Sequence, residues 1–127
     1  MHSYLNICQA VVIVRSDMEA KNSIFVETFG GSPAIKVIDF FLVFDIFDYS
    51  KSQVSEEVGI SRITLDKIWE ELARQKIIIK TRDIGRAEMY KLNKDNTRVK
   101  VLQELSLKLA SAFADEEISR IKKKIEA

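Results

Sequence analysis

Residue types that make or break covalent bonds are scarce in this chain. His2 is its only histidine and Cys8 its only cysteine, so a disulfide framework and a zinc site built within one chain lack their ligands, and neither residue stands in a motif that supplies partners for nucleophilic work. The run Gly30-Gly31-Ser32-Pro33 is too short to cradle a phosphate, and the carboxylates read as scattered over helix surfaces. Catalysis is not expected, nor is a cofactor or a metal. The residues that stand out do non-covalent chemistry instead. Ser61, Arg62, Ile63, Thr64 and Lys67 crowd together. Arg62 and Lys67 can donate to phosphate oxygens or guanine edges, Ser61 and Thr64 can donate or accept, and Ile63 can meet a thymine methyl. Lys80, Arg82 and Arg86 form a second basic set further along.

Charge distribution gives both sets a context. The formal net charge is only +1, but the stretch 74–100 holds nine basic residues against three acidic, an excess of six, which leaves the rest of the chain at −5. A positive segment on an acidic body suits a polyanion held at one face better than general adhesion to anything charged. With 46% hydrophobic and 31% charged residues in 127 positions, the chain is long enough for one domain with a core plus appendages. No apolar run approaches the roughly 20 residues of a spanning helix, so a membrane is not an expected partner.

Elements of regular structure must hold the first set outward, and the stretch "VSEEVGISRITLDKIWEEL" (Val54 to Leu72) supplies them. Ser50 caps a helix of about two turns that ends at Gly59, where a residue without a side chain can adopt a left-handed turn at little cost. Ser61 caps a second helix, of about four turns, running to Lys76. Val54 and Val58 of the first helix, with Leu65, Ile68 and Leu72 of the second, are expected to bury against Phe40, Leu42 and Phe44. At about 100° per residue, Ile63, Lys67, Glu70 and Arg74 then lie opposite Leu65, with Arg62 and Thr64 flanking them. Glu70 and Glu71 repel phosphate and confine contact to the front of the helix. Asp66 is expected to orient Arg62, four residues before it.

Upstream, Ser32 and Pro33 mark another helix start, because proline at the first position loses no hydrogen bond. The apolar pattern Ile35, Ile38, Leu42 with Phe40, Phe44 and Phe47 carries that helix through "AIKVIDFFLVFDIF". Residues 1–23 form an arm apart from this pattern. Its apolar run from Ile7 to Val14 lacks the basic start and cleavage site of a secretory signal, and it reads equally well as a strand or as a stretch ahead of a start at Met18.

Downstream the period changes from helical to alternating. Ile77 to Leu92 reads as a β-hairpin turning at Gly85, with Lys80 and Arg82 on one face of its first strand and Arg86 at its tip. Helical spacing returns at Val99, Leu102, Leu105, Leu109, Ala112 and Phe113. Ile118, Ile121 and Ile125 resume it in a shifted phase, which predicts a break or kink near Asp115-Glu116-Glu117. Leu102, Leu105, Leu109, Ala112 and Phe113 are the candidate dimerisation stripe; folding of the same stripe back onto its own domain is the alternative.

The segments "FGGSPAIKVIDFF", "VSEEVGISRITLDKIWEEL" and "IGRAEMYKLN" resemble archaeal winged helix-turn-helix transcriptional regulators, of the broad type that includes the multiple-antibiotic-resistance and arsenical repressors. The resemblance covers about Ile24 to Leu109. It departs at Ser55, where alanine is common, and at Glu88, where a basic residue is more usual. What it implies is a mostly α, α+β fold: a three-helix core, a β-hairpin wing and a long C-terminal helix. It further implies a homodimer that binds double-stranded DNA, placing the helix 61–76 in the major groove and the wing 77–92 on the backbone or in the minor groove. The arm 1–23, a DNA-binding domain 24–97 and a helical dimerisation segment 98–127 make up the expected organisation, in a cytoplasmic setting. The rival is a winged-helix protein-interaction module within a nucleic-acid complex, since one fold serves many functions.

Overall fold

Helix starts in this chain are set by hydroxyl caps. The computed structural model describes residues 23–126, and the apolar run 7–14 lies outside them. Ser23 caps α1 (Ile24–Phe29), Ser32 caps α2 (Pro33–Val43), Ser50 caps α3 (Lys51–Val58) and Ser61 caps α4 (Arg62–Arg74), each accepting from the backbone amide three residues on. At α3 the cap is reciprocal, because the Gln53 side chain accepts from the Ser50 amide at 2.9 Å. Strands β1 (Ile78–Ile84) and β2 (Ala87–Leu92) then pair antiparallel, and α5 (Thr97–Glu126) closes the order.

Two helix ends differ from the sequence reading. Helix α2 stops at Val43 rather than running on to Phe47; the chain turns at Phe44 so that its ring packs on Phe40 and approaches Tyr49. Helix α4 stops at Arg74, because Lys76 takes a left-handed conformation (φ 58°). Asn93 and Asn96 side-chain amides donate to the freed Lys76 carbonyl, each at 3.0 Å, which satisfies an end the helix leaves open.

The core gathers where these elements cross. Val37, Phe40 and Phe41 of α2 meet Val54 of α3 and Leu65, Trp69 and Leu72 of α4. Ile77, Ile78 and Leu92 at the base of the hairpin and Val99 of α5 complete it. Ile68, expected inside, is only half-buried, and Trp69 takes the deep position, edge-on to both Phe41 and Tyr90. Gly59 adopts the left-handed conformation (φ 77°, ψ 38°) between α3 and α4, so the two helices can present their apolar faces to one core.

The predicted break in the last helix is absent: α5 is one helix of 30 residues. The Asp-Glu-Glu run tolerates helix, and the phase shift in the apolar pattern marks a change of face instead. Leu102, Leu105, Leu109 and Phe113 are half-buried on the side where α5 meets α1 and α2, while Ala112 is exposed. Leu107, Ala114, Ile118, Ile121 and Ile125 lie along the other side and are exposed, with the small, exposed Ser111 between the first two. A three-helix core with a two-stranded wing and a long terminal helix is the winged helix-turn-helix architecture expected from the sequence. No helix among the described residues is long and apolar enough to cross a membrane.

Candidate nucleic-acid interface

Helix α4 carries Leu65, Trp69 and Leu72 inward, and that anchoring decides what its other side presents. Ser61, Arg62, Ile63, Thr64 and Lys67 are all exposed, with Ile63 at 76%. Of the large hydrophobic side chains among the described residues, only Ile125 near the chain's end is barer. Ile63 thus sets a naked apolar group between a guanidinium and a hydroxyl at the front of the helix. Ser61 is occupied by its own helix: its oxygen accepts from the Thr64 amide at 3.2 Å, and its hydroxyl donates to the Thr64 hydroxyl oxygen at 3.0 Å.

Partners of the charged residues differ from the sequence reading in one respect. Asp66 does not hold Arg62. It pairs with Lys51 of α3 at 3.3 Å, and Arg62 donates instead to the Ser52 hydroxyl at 2.7 Å. The cause is the sharp turn at Gly59, which brings the start of α3 beside the start of α4 and offers both side chains a nearer partner across the turn than along their own helix. Arg62 therefore leans across the helix-turn-helix with its charge uncompensated by any carboxylate among the described residues. Lys67 likewise has no ion pair among them.

At the far end of the helix the acids are partly neutralised. Glu71 accepts from Arg74 and Gln75, and those hydrogen bonds, Arg74 first, hold its carboxyl below the usual glutamate range. The same contact raises the Arg74 guanidinium further above its ordinary value. Glu70 stays exposed, so repulsion of phosphate from the rear of α4 rests mainly on it.

The hairpin departs from the expected arrangement. Lys80 pairs with Tyr90 and Arg82 with Met89, so Thr81 is an extra residue in β1, a β-bulge. Tyr90 and Met89 are neighbours on β2 and point to opposite faces. Lys80 and Arg82 therefore do not share a face, as strict alternation had implied. Each also has a carboxylate: Lys80 lies 2.9 Å from Asp83 and 3.7 Å from Glu88, and Arg82 lies 2.9 Å from Asp48. Hydrogen bonding to Asp83 raises the Lys80 ammonium, and hydrogen bonding to Asp48 raises the Arg82 guanidinium. Arg86, beside Gly85 at the tip, is exposed and forms no ion pair among the described residues. Ile84, on the other side of Gly85, is exposed as well.

Sequence reasoning missed Asp48, Lys51 and Ser52. Asp48 is 34 residues from the arginine it holds, so no local spacing announces the pair. Lys51 and Ser52 follow the Ser50 cap directly, and the start of the first motif helix is a place where such residues could have been sought.

Comparison with known proteins bears on the fold alone. No family model matches the chain, and no curated protein matches it. Among solved structures it is similar to MepR of Staphylococcus aureus, a transcription regulator of the multidrug efflux pump MepA, with 14% identity, TM-score 0.54 and coverage of 99% of this chain and 94% of that one. It is also similar to Streptococcus pneumoniae FabT in complex with DNA, at 19% identity and TM-score 0.52 over 97% of this chain and 92% of that one. A double mutant of Lactococcus lactis ZitR gives 18% identity and TM-score 0.52, with 95% and 91% covered.

Proposed function

We propose that this chain is a sequence-specific, double-stranded-DNA-binding transcriptional regulator that works as a cytoplasmic homodimer and not as an enzyme. Residues 24–97 are its binding unit. The observation that carries the reading is the front of α4: Arg62, Ile63, Thr64 and Lys67 are exposed together on a helix whose rear is anchored in the core. A helix of this length enters the major groove with its first turns against base edges, and the wing reaches the adjacent backbone or minor groove through Arg86. The likeness to FabT, solved with DNA, supports it.

Selection of bound duplexes from a random pool at physiological salt tests this. Enrichment of one inverted repeat, relaxed at one base position by Arg62→Ala, is the expected result. An unenriched pool sends the reading to the protein-interaction module, which one observation favours: Lys80 and Arg82 are already occupied by carboxylates.

Residues 98–127 supply the dimer in this reading, since one winged unit reads few base pairs and two half-sites need a two-fold mate. Leu102, Leu105, Leu109 and Phe113 are half-covered within the protomer. Leu107, Ser111, Ala114, Ile118, Ile121 and Ile125 are bare and repeat at intervals of four and three, apolar at every step but Ser111. That interval is the seam of a two-stranded coil, and a lone small hydroxyl in it can still point toward water. Sedimentation of the full chain and of the double variant Ile118→Glu, Ile121→Glu is expected to show dimer and monomer respectively. A full chain that sediments as a monomer removes the inverted repeat from the proposal.

A further inference from the structure

The wing is attached to the body at two places of different kind. At its base, Tyr49 and Tyr90 exchange backbone hydrogen bonds at 2.7 and 2.8 Å, which adds one residue of a third strand to the hairpin. Beyond the bulge at Thr81 only the two hairpin strands remain, with Arg82, Asp83 and Ile84 paired to Met89, Glu88 and Ala87. Positions 81–86 are all exposed, and the tip projects away from the core. Asp48, next to Tyr49, reaches this outer arm from the body. Its carboxylate accepts from Arg82 in a two-pronged contact, Nε to Oδ2 at 2.9 Å and Nη2 to Oδ1 at 3.2 Å, and from the Thr81 hydroxyl at 2.5 Å. Only 14% of the Asp48 side chain is exposed, against 62% of Arg82. A planar fork on a carboxylate fixes direction as well as distance. The bulge is what turns Arg82 toward it, because without the extra residue Arg82 would face the other side of the ribbon.

We propose that Asp48 is the positioning residue of the wing, setting the angle at which Gly85 and Arg86 stand relative to α4 and hence the match between wing contact and groove contact on one duplex. The functional half of this rests on the DNA-binding reading; the structural half does not. Its sign is opposite to plain electrostatics. Removing a carboxylate near a polyanion strengthens binding to any duplex, whereas losing a positioning residue weakens binding to the duplex that the wing and helix must engage together.

The test uses the full chain with Asp48→Ala, Asp48→Glu and Arg82→Gln. In free protein, NMR relaxation of the Gly85 and Arg86 amides is expected to show a loosened tip in Asp48→Ala and Arg82→Gln and a restored one in Asp48→Glu. On a duplex selected by the wild type, Asp48→Ala is expected to lose about tenfold in affinity, a size usual for residues coupled in one network, while affinity for random duplex holds or rises. Unchanged tip dynamics overturn the proposal whatever the DNA does. Equal tightening on both duplexes also overturns it, showing Asp48 to be a competitor for Arg82 rather than its guide. A wild type that binds no duplex defeats the DNA-binding reading and leaves the relaxation experiment to decide the positioning role.

Discussion

Salt dependence separates the cations that are free from those that are already paired. Per protomer, Arg62, Lys67 and Arg86 have no carboxylate partner among the described residues, while Lys80 and Arg82 do. A dimer whose free cations all meet phosphate or the bases beside it neutralises about six charges, and one that also releases Lys80 and Arg82 neutralises about ten. With a slope of roughly −0.9 per contact, the logarithm of the binding constant is expected to fall with a slope of about −5 in the first case and about −9 in the second. Between 50 and 200 mM salt this means roughly 10³-fold against 10⁵-fold loss. Fluorescence anisotropy of a labelled duplex across a salt series measures it directly. The structure predicts the shallower value. Arg86→Gln is expected to cut the slope by about 2, one contact per protomer, and Lys80→Gln is expected to leave it nearly unchanged. A wild-type slope near −9, or a Lys80→Gln effect as large as that of Arg86→Gln, refutes the reasoning that intramolecular carboxylates hold the wing cations. A slope near zero refutes the phosphate interface altogether.

Three further outcomes follow from the packing. An added Cβ at Gly59 meets nothing within 4 Å, but φ is 77° there, so Gly59→Ala is expected to cost about 1 kcal/mol in urea denaturation, the strain of the left-handed backbone alone; a loss several times larger would mean that the turn cannot accommodate a side chain. The buried indole Nε1 of Trp69 has no hydrogen-bond partner among the described residues, so Trp69→Phe removes an orphan donor as well as volume and is expected to stay within about 1 kcal/mol of wild type, against roughly 3–5 for Trp69→Ala. Equal losses in the two variants would show that the indole is satisfied. The Arg82 and Thr81 hydrogen bonds hold the Asp48 carboxyl below its ordinary value of 3.8, so the clamp's contribution to stability is complete above that pH and disappears as pH falls through the depressed value. The difference in melting temperature between wild type and Asp48→Asn is therefore expected to be constant from pH 8 to about 5 and to shrink only in stronger acid; a difference that fades near pH 6 would assign it to another group.

Much of the fold could be read from local rules because it is built from local rules. Ser32, Ser50 and Ser61 cap helices, Gly59 turns left-handed and Gly85 sits at the hairpin tip, all as their types and spacing indicate. What escaped the sequence depends on distance along the chain or on a single inserted residue. The bulge at Thr81 reverses the face of Arg82, and alternation counted from Ile77 cannot reveal it. Asp66 pairs with Lys51 and Arg62 with Ser52 because the turn at Gly59 makes residues of different helices closer than helical neighbours. In the last helix, the phase shift at Asp115 accompanies a second apolar stripe on one continuous helix rather than a break between two. The exposed front of α4 needed only the 100° step and one buried reference, Leu65, which is why the candidate residues there were all found outward.

Dimethyl sulfate footprinting of the selected duplex probes the central claim most directly, because the reagent reports guanine N7 in the major groove and adenine N3 in the minor groove separately. Insertion of α4 predicts protected guanine N7 in two half-sites about one helical turn apart, exposed again by Arg62→Ala, with adenine N3 protection beside them that Arg86→Gln removes. A bound complex in which every guanine N7 remains open to methylation would contradict placement of this helix in the groove.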